Sequence, residues 1–565
     1  MTKRNIDISG RISPNPLEYA ERQASDALPL ATAPMSAPVT DVAETLGFVD
    51  IGTNSVRLLV ARVDRDHTWT TVTLQKESVR LGEGEFGATS QLRPEAMSRT
   101  IAVCRTFVDL ARAHGARGMV AVATAATREA ENRAAFVRRL HDEAGLDVHI
   151  VSGQEEARLI FLGVLAKVKL GERRALVIDI GGGSTEVALG GSDGAEYPDS
   201  LKIGAIRLTN QYLEGATGPI AAEVYEAMRR HVRLEAARTR QKLSGQRIDI
   251  AYGTSGTIRN LAAIAARLGS GAAQRPDTLR RADLRKVVKL LRSVDLEARR
   301  AIPGLNPERA DIIIAGAAIL DALMEDLGLL EIQTLAECGL REGLVLDHLA
   351  RTTSPELAQG PSVRERSVLR LARSTAFDES HARHVAGLAL ELFDSARDCG
   401  LHRYGHAERE LLSYSALLHD IGAFLDYSDH HLHSHYLVRN ANLLGFDERE
   451  VAMMAAIALF HRKNRPGPRH AAFAELDRRT RSAVRRLSTL LRIAEYLDRS
   501  HSSAVAHASF QMAGKNDLTL VVAPTKDWQL ELWRLQDRRP AIEESLGRSL
   551  DIREMREPHH GLTRR

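Results

Sequence analysis

The residues able to do chemistry in this chain first appear as a repeat. VDIGTNSVRLLV sets Asp50 ahead of a glycine turn holding Gly52, Thr53, Asn54 and Ser55, and VIDIGGGSTEV sets Asp179 ahead of Gly181, Gly182, Gly183, Ser184 and Thr185. A glycine turn leaving a strand lets the backbone approach a ligand, so that its N–H groups converge on an anion. The hydroxyls of Thr53, Ser55, Ser184 and Thr185 add donors. An aspartate at the head of the turn repels phosphate unless a cation lies between them, so each turn reads as half of a metal-bridged phosphate site. A third turn, GTSGT, brings Gly253, Thr254, Ser255 and Gly256 after the strand IDIAY. One such turn alone is equally an ordinary hairpin; three, two of them near-copies, favour a common clamp.

Splitting a phosphoanhydride takes a cation, donors for the phosphate oxygens and a base that orients water. In SGQEEARLIF, Glu155 and Glu156 stand side by side near the start of a helical run. Successive helical side chains diverge by about 100°, so only one of the pair aims into a cleft. Arg128, closing ATAATR at a strand end, is placed to offset charge on a transferred phosphoryl group.

These residues need elements to carry them. From 46 to about 170, FVDIG, VRLLVARVD and WTTVTLQ read as strands, PEAMSRTIAVCRTFVDLARAHG as a helix, GMVAVAT as a strand, ENRAAFVRRLHDEAG as a helix and DVHIVS as a strand. A second unit of the same style starts at ALVIDIGGGSTEVALG and includes the long helix after PGLNPERADIIIAG. Alternating strands and helices imply layered α/β domains. RTTSPELAQGPS has linker composition, and beyond it helical periodicity takes over and histidines crowd between His419 and His470. DLTLVVAP and WQLELWRL read as a small β-containing end.

A chain of 565 residues predicts several domains. Its three scattered cysteines argue against a disulfide framework and for a reducing compartment. The net charge of +4 does not mark a nucleic-acid binder. The longest apolar run, IIIAGAAIL, falls far short of the roughly 18 residues of a membrane span, and the N-terminus lacks a signal-peptide core. A cytoplasmic protein without a membrane or nucleic-acid partner is expected.

VDIGTNSVRLLV, ATAATREA, VSGQEEARLIFLGV, VIDIGGGSTEV, AYGTSGTIRNLA and GLREGLVLD, in this order, resemble the exopolyphosphatase/guanosine pentaphosphate phosphatase family over residues 45 to 350. The resemblance implies the duplicated actin-like (ASKHA) α/β fold, with two related halves around a cleft. It places the general base on the second glutamate, Glu156. It puts Asp179 and Glu186 at the metal and phosphate site, with Asp50 as the matching acid of the first turn and Mg²⁺ as the ion suited to all-oxygen ligands. The implied substrates are inorganic polyphosphate or guanosine pentaphosphate, and the implied assembly is a homodimer.

In the second half, HARHVAGLALELFD, SALLHDIGAFL and LLRIAEYLDRSH resemble the HD phosphohydrolase superfamily. By that resemblance His381, His419, Asp420 and Asp498 hold a divalent metal, with His435 and His461 spaced to contribute to a second. The basic stretches HRKNRPGPRH and DRRTRSAVRR suit a track for a long anionic substrate. The expected organisation is therefore a disordered tail (1–44), actin-like domains (45–172 and 173–350), a linker (351–362), an all-α HD-like domain (363–505) and a small α+β C-terminal domain (506–565). The leading expectation is a Mg²⁺-dependent exopolyphosphatase, with the pentaphosphate phosphohydrolase as its alternative. An actin-fold kinase, a chain whose HD centre is the principal activity, and a non-enzymatic phosphate sensor are the competing classes.

Overall fold

The computed structural model describes residues 31–32, 44–63, 69–83, 90–213, 215–268, 277–336, 338–352, 362–441, 443–462, 465–514 and 516–555. Most of the expected tail and linker lies outside them, although β1 (Ala31–Thr32) pairs in parallel with Gly118 and Met119.

The first lobe opens with an antiparallel meander, β2 (Glu44–Ile51), β3 (Ser55–Val63) and β4 (Trp69–Ser78). Helix α1 (Pro94–Ala113) leads to β5 (Gly118–Ala123), parallel to β2. The short α2 (Ala125–Glu129) and α3 (Arg133–Ala144) lead to β6 (Val148–Ile150), parallel to β5, and α4 (Gly153–Leu165) follows. The second lobe repeats the scheme. β7 (Ala175–Ile180), β8 (Thr185–Gly191) and β9 (Gly194–Leu201) form the meander, and β10 (Ile250–Gly253) lies parallel to β7. Helices α5 (Ala205–Tyr212), α6 (Ala222–Glu235) and α7 (Ala237–Leu243) precede β10, and α8 (Gly256–Leu268) follows it. After the edge strand β11 (Thr278–Arg280) come α9 (Arg281–Ser293), α10 (Leu296–Arg300) and α11 (Ile313–Asp326), then β12 (Glu331–Thr334), parallel to β10, and α12 (Leu340–Thr352).

The inner strands β2, β5 and β7 bury both faces, as strands with parallel partners do when helices cover them. Val49, Ile51 and Leu58 pack on Phe107 and Phe136, while Phe48 and Leu59 turn the other way. That second face meets Leu159 and Phe161 of α4 and Leu344 and Val345 of α12, in one cluster that also takes in Val177 and Ala188 of the other sheet. Helices α4 and α12 thus fill the layer between the sheets, and α12, although it follows the second lobe in sequence, shares the apolar cluster of the first. Their backbones touch: a Cβ at Gly343 would fall 1.8 Å from the Leu159 carbonyl oxygen, and one at Gly163 would fall 2.0 Å from that of Gly339.

The second half is helical: α13 (Val363–Arg373), α14 (Glu379–Asp398), α15 (His406–Leu418), α16 (His430–Asn440), α17 (Glu448–Leu459), α18 (Ala471–Ala474) and α19 (Arg478–Leu497). It ends in a sheet of β13 (Val505–Met512), β14 (Asp517–Pro524) and β15 (Ser549–Glu554), with α20 (Gln529–Leu546) between the last two. WQLELWRL, part of the expected small β-containing end, lies mostly in α20, where Leu535, Ile542 and Leu546 are buried at helical spacing. Phe510, Leu520, Leu535 and Leu550 belong to the same apolar cluster as the helices, so the end sheet shares one core with them. The basic stretch anchors that end. Arg465 donates to the Ala541 carbonyl (2.7 Å), Arg486 approaches that of Ser545 (3.5 Å), and Arg481 holds the Phe473 carbonyl (3.1 Å). Those three guanidinium groups are spent on chain packing.

Candidate active site

Both acidic turns close by the same backbone bond. Gly52 N–H donates to Ser55 O (3.1 Å), and Gly181 N–H donates to Ser184 O (2.9 Å). In the second turn the carbonyls of Gly181 and Gly182 accept from the first residues of α5, Ala205 (2.9 Å) and Ile206 (2.9 Å). Because the peptide is planar and trans, the N–H groups of Gly182 and Gly183 then face the other way, into the cleft. The turns oppose each other: a Cβ on Gly182 would stand 3.1 Å from Thr53 Cβ.

One cleft is lined by Asp50, Gly52, Thr53, Asn54 and Ser55 from the first turn and by Asp179, Gly181, Gly182, Gly183, Ser184 and Glu186 from the second. Ser255, Gly256 and Thr257 bring in the N-terminus of α8, where unpaired N–H groups and the helix dipole favour an anion. The other expected phosphate ligands stand back from it. Thr185 Oγ1 donates to the Ile203 carbonyl (2.6 Å), Thr254 Oγ1 donates to Asp179 Oδ2, and Gly253 ends β10.

Helix α4 begins on a cap, with Ser152 Oγ accepting from Glu155 N–H (3.2 Å). Its first turn sends the two adjacent glutamates apart. Glu156 lines the cleft. Glu155 faces the helical domain, where its Oε2 accepts from the Gly445 N–H (2.8 Å) and its carboxylate is held by Arg158 (2.8 and 2.6 Å). Asp347 of α12 accepts from Arg158 and from Arg351 (2.6 Å), and Arg351 and Arg364 in turn donate to the Gly445 carbonyl (2.8 and 2.9 Å). A single residue of the helical domain, Gly445, is therefore gripped at both its N–H and its C=O. His149 with Asp447 (2.6 Å) and Arg133 with Glu448 (2.9 Å) extend this contact.

Glu156 is 7% exposed and pairs with Arg128 Nη1 at 3.0 Å. Burial pushes its carboxyl up to about 7; Arg128 opposes the shift, and the nearby Asp50 and Asp179 add to it. Burial likewise raises Asp50, against the pull of Arg57 and Arg341. Glu186, which accepts from Ser200 Oγ (2.8 Å), is raised well above the carboxylate range by burial and then by Glu156. Arg128 Nη1 also donates to the Val151 carbonyl (3.0 Å). It therefore orients the carboxylate of Glu156.

The sequence reading passed over a row of cations. In the strand register Asp50 stands opposite Arg57 and Arg57 opposite Lys76. Arg57 and the buried Arg309 line the cleft. Burial and then the charges of Arg57 and Arg259 lower Arg309 to about 10. Burial and then the charges of Arg309, Arg57 and Arg259 lower Lys76 to about 8. Arg57 lies in VDIGTNSVRLLV and faces the same side as Asp50, which the hairpin register would have revealed.

In the helical domain His381, His419 and Asp420 come together as expected, but with Glu495 and not Asp498: one ligand atom from each of the four lies within 4.8 Å of the others. Asp498 stands behind His381, accepting from its Nδ1 (2.8 Å). Asp420 also groups with His430 and His461; His435, on the same helix as His430, is not in the group. Three Cys residues, Cys104, Cys338 and Cys399, are free thiols. Among the described residues no helix is long and apolar enough to cross a membrane.

The model of the Ppx/GppA phosphatase family matches residues 59–352, and that of Ppx/GppA phosphatase domain III matches residues 363–542. A solved exopolyphosphatase structure from Cytophaga hutchinsonii is 25% identical over 54% of this chain and 98% of its own, with a TM-score of 0.49. The Ppx/GppA family member from Aquifex aeolicus is 26% identical over 55% of this chain and 100% of its own, with a TM-score of 0.46.

Proposed function

The chain belongs to the Ppx/GppA phosphatase family, whose members are phosphoanhydride hydrolases, and from that premise we propose that it removes terminal orthophosphate from inorganic polyphosphate with Mg²⁺, Glu156 acting as general base. The observation that carries this reading is the position of Glu156: buried, held by Arg128 and facing both glycine turns. Asp50, Asp179 and Glu186 form an all-oxygen donor set in which burial and mutual repulsion raise two of the three carboxyls. A hard divalent cation fits such a set, and these residues would hold it, directly or through its waters. When bound it supplies charge neutralisation on the terminal phosphates.

The remaining work belongs to the chain's own groups. The N–H groups of the two turns and of the α8 N-terminus hold the terminal phosphoryl oxygens, and Arg57 and Arg309 neutralise the following units. Ionised Glu156 orients a water in line with the scissile P–O bond and accepts its proton. The new P–O bond forms as the anhydride P–O bond breaks, leaving orthophosphate and a chain one unit shorter.

Polyphosphate is favoured over a guanine nucleotide by the cations that continue past the turns, Arg57, Lys76, Arg259 and Arg309. Among the described residues that line the cleft, moreover, none is aromatic and able to stack a base. The deciding assay measures orthophosphate release from long-chain polyphosphate, tripolyphosphate and guanosine pentaphosphate, each with and without Mg²⁺. We expect Mg²⁺-dependent release with kcat/KM highest on the long chain. Equal or better turnover of the pentaphosphate overturns the substrate assignment, and undiminished turnover in chelator overturns the cation.

A further inference from the structure

Arg207 and Glu129 have no part in the reaction just described, and among the described residues that line the cleft neither is found. They nevertheless join its two walls from behind. Helix α5 abuts the second glycine turn so closely that a Cβ at Gly204 would fall 2.3 Å from the Gly182 carbonyl oxygen. The first N–H groups of α5, on Ala205 (2.9 Å) and Ile206 (2.9 Å), take the carbonyls of Gly181 and Gly182, and the Nε–H of Arg207 takes that of Gly183 (2.8 Å). Three successive carbonyls are thus turned away from the cleft. Across planar trans peptides the N–H groups of Gly182, Gly183 and Ser184 point the opposite way, as a run of donors for an anion. Backbone sets the first two, whereas the third depends on one side chain.

The same guanidinium reaches into the first lobe. Its Nη2 donates to both carboxylate oxygens of Glu129, at the end of α2 (2.9 Å each). Glu129 follows Arg128 in the chain, and Arg133 holds the carbonyl of the peptide that joins them (2.8 Å). Arg128 in turn pairs with Glu156 at 3.0 Å. The side chains of Arg207 and Glu129 keep only 16% and 23% exposure, so the link is largely shielded from water. One planar, fork-shaped group therefore ties a phosphate donor of the second lobe to the support of Glu156 in the first. A lysine offers no such fork, its ammonium being a point charge on a flexible stem.

We propose that Arg207 and Glu129 are positioning residues whose ion pair, in the reading that makes Glu156 the base, sets the spacing between the N–H groups that hold the terminal phosphoryl group and the carboxylate that orients water. Neither side chain touches substrate. The pair acts on the alignment of water, phosphorus and leaving oxygen, which is where small displacements are most costly. The cations that hold the following phosphates, Arg57 and Arg309, are carried by β3 and by the 3₁₀ turn Pro307–Arg309 and do not depend on the pair. Loss of the clasp therefore falls on kcat and spares KM.

The test is a double-mutant cycle on the full chain, Arg207→Ala, Glu129→Ala and the two together, followed by orthophosphate release from long-chain polyphosphate with Mg²⁺. Each single change should lower kcat about 10- to 100-fold, the scale of a misplacement near 1 Å, with KM within about threefold. The double variant should lose no more than about twofold beyond the worse single one. Losses that multiply, or a loss carried by KM alone, overturn the clasp. A partly exposed pair contributes little to stability, so the urea midpoints should stay close to wild type; a loss of kcat that follows a large fall in midpoint makes the role structural. Were Arg207→Ala to unfold, Glu129→Ala and Arg207→Lys decide, and wild-type kcat in either overturns the assignment. A second readout needs no turnover. Glu129→Ala, a change in the first lobe, should speed hydrogen exchange in the peptide spanning residues 181–187 of the second by about threefold or more. The two readings fail separately: full kcat in Glu156→Gln removes the base, and unchanged exchange in Glu129→Ala removes the clasp.

Discussion

The two acidic turns share a backbone and differ in what lies across the strand. Asp50 stands opposite Arg57 and then Lys76, whereas the same positions around Asp179 are Glu186 and Ser200. The same glycine turn therefore occurs twice, and one cross-strand position sets its surroundings apart. The first lobe presents an acid followed by cations, a row suited to the phosphate chain. The second presents paired acids with a hydroxyl donor on Glu186, a row suited to a metal ion. Glu156 stands where the two rows meet.

If that is the meeting point, Glu156→Gln produces the largest loss. It keeps the size and a hydrogen bond to Arg128 but cannot take a proton. The expected fall in kcat is about 10²- to 10⁴-fold with KM changed little, measured by orthophosphate release. A variant that keeps full kcat removes the base from the mechanism.

Next in size is the effect of pH, which runs in opposite directions for activity and stability. The proposed base must be ionised, and the Glu156 carboxyl is pushed up to about 7, so below that pH kcat/KM should rise about tenfold per unit and then level, a Mg²⁺-loaded cleft shifting the midpoint lower. For stability the same raised value means that the folded state holds the proton longer than the unfolded chain. The contribution is complete below the ordinary glutamate value of 4.5 and is lost as pH rises through about 7. Urea midpoints of the metal-free wild type, compared with Glu156→Gln across that window, show the loss; a constant difference contradicts it.

Smaller effects separate the rows. Arg57→Ala should lower kcat/KM on long polyphosphate about 10- to 100-fold, mostly through KM, as expected for a charged hydrogen bond. Glu186→Gln should raise the Mg²⁺ needed for half-activation by about tenfold or more while leaving KM for the chain nearly unchanged. Reversal of these two signatures would exchange the roles of the lobes.

Much of this was legible in the sequence because short-range physics writes it there. The acidic glycine turns, the helix starting at Gly153 and the HD pair are contiguous, and their local pattern is also their structural one. What escaped depends on register and tertiary packing. Arg57 acquires its role from facing the side of Asp50 and Lys76, and Arg309 acquires its role from a 3₁₀ turn brought to the cleft from far along the chain. Glu495 replaces Asp498 because the end of α19 leaves Glu495 facing the imidazoles, while Asp498, past the helix, supports His381 from behind. Spacing alone could not rank two acids so close together.

The smallest expected effect on catalysis, and the sharpest check on the comparison, comes from the residue beside the base. Glu155 shares a helical turn with Glu156 yet is fully buried against Arg158 and the Gly445 peptide. Glu155→Ala leaves that N–H without its acceptor and removes one of the two carboxylates on Arg158, which is itself 3% exposed. Removing one partner of a buried ion pair costs about 3 kcal/mol or more, and the Asp347 carboxylate left on Arg158 keeps this case at the low end. The urea midpoint should therefore fall clearly while kcat on polyphosphate stays within about twofold, since nothing in the cleft has moved. Should Glu155→Ala lose activity as deeply as Glu156→Gln while remaining folded, the grip on Gly445 sets the position of the base. The helical domain would then belong to the catalytic unit and not merely rest upon it.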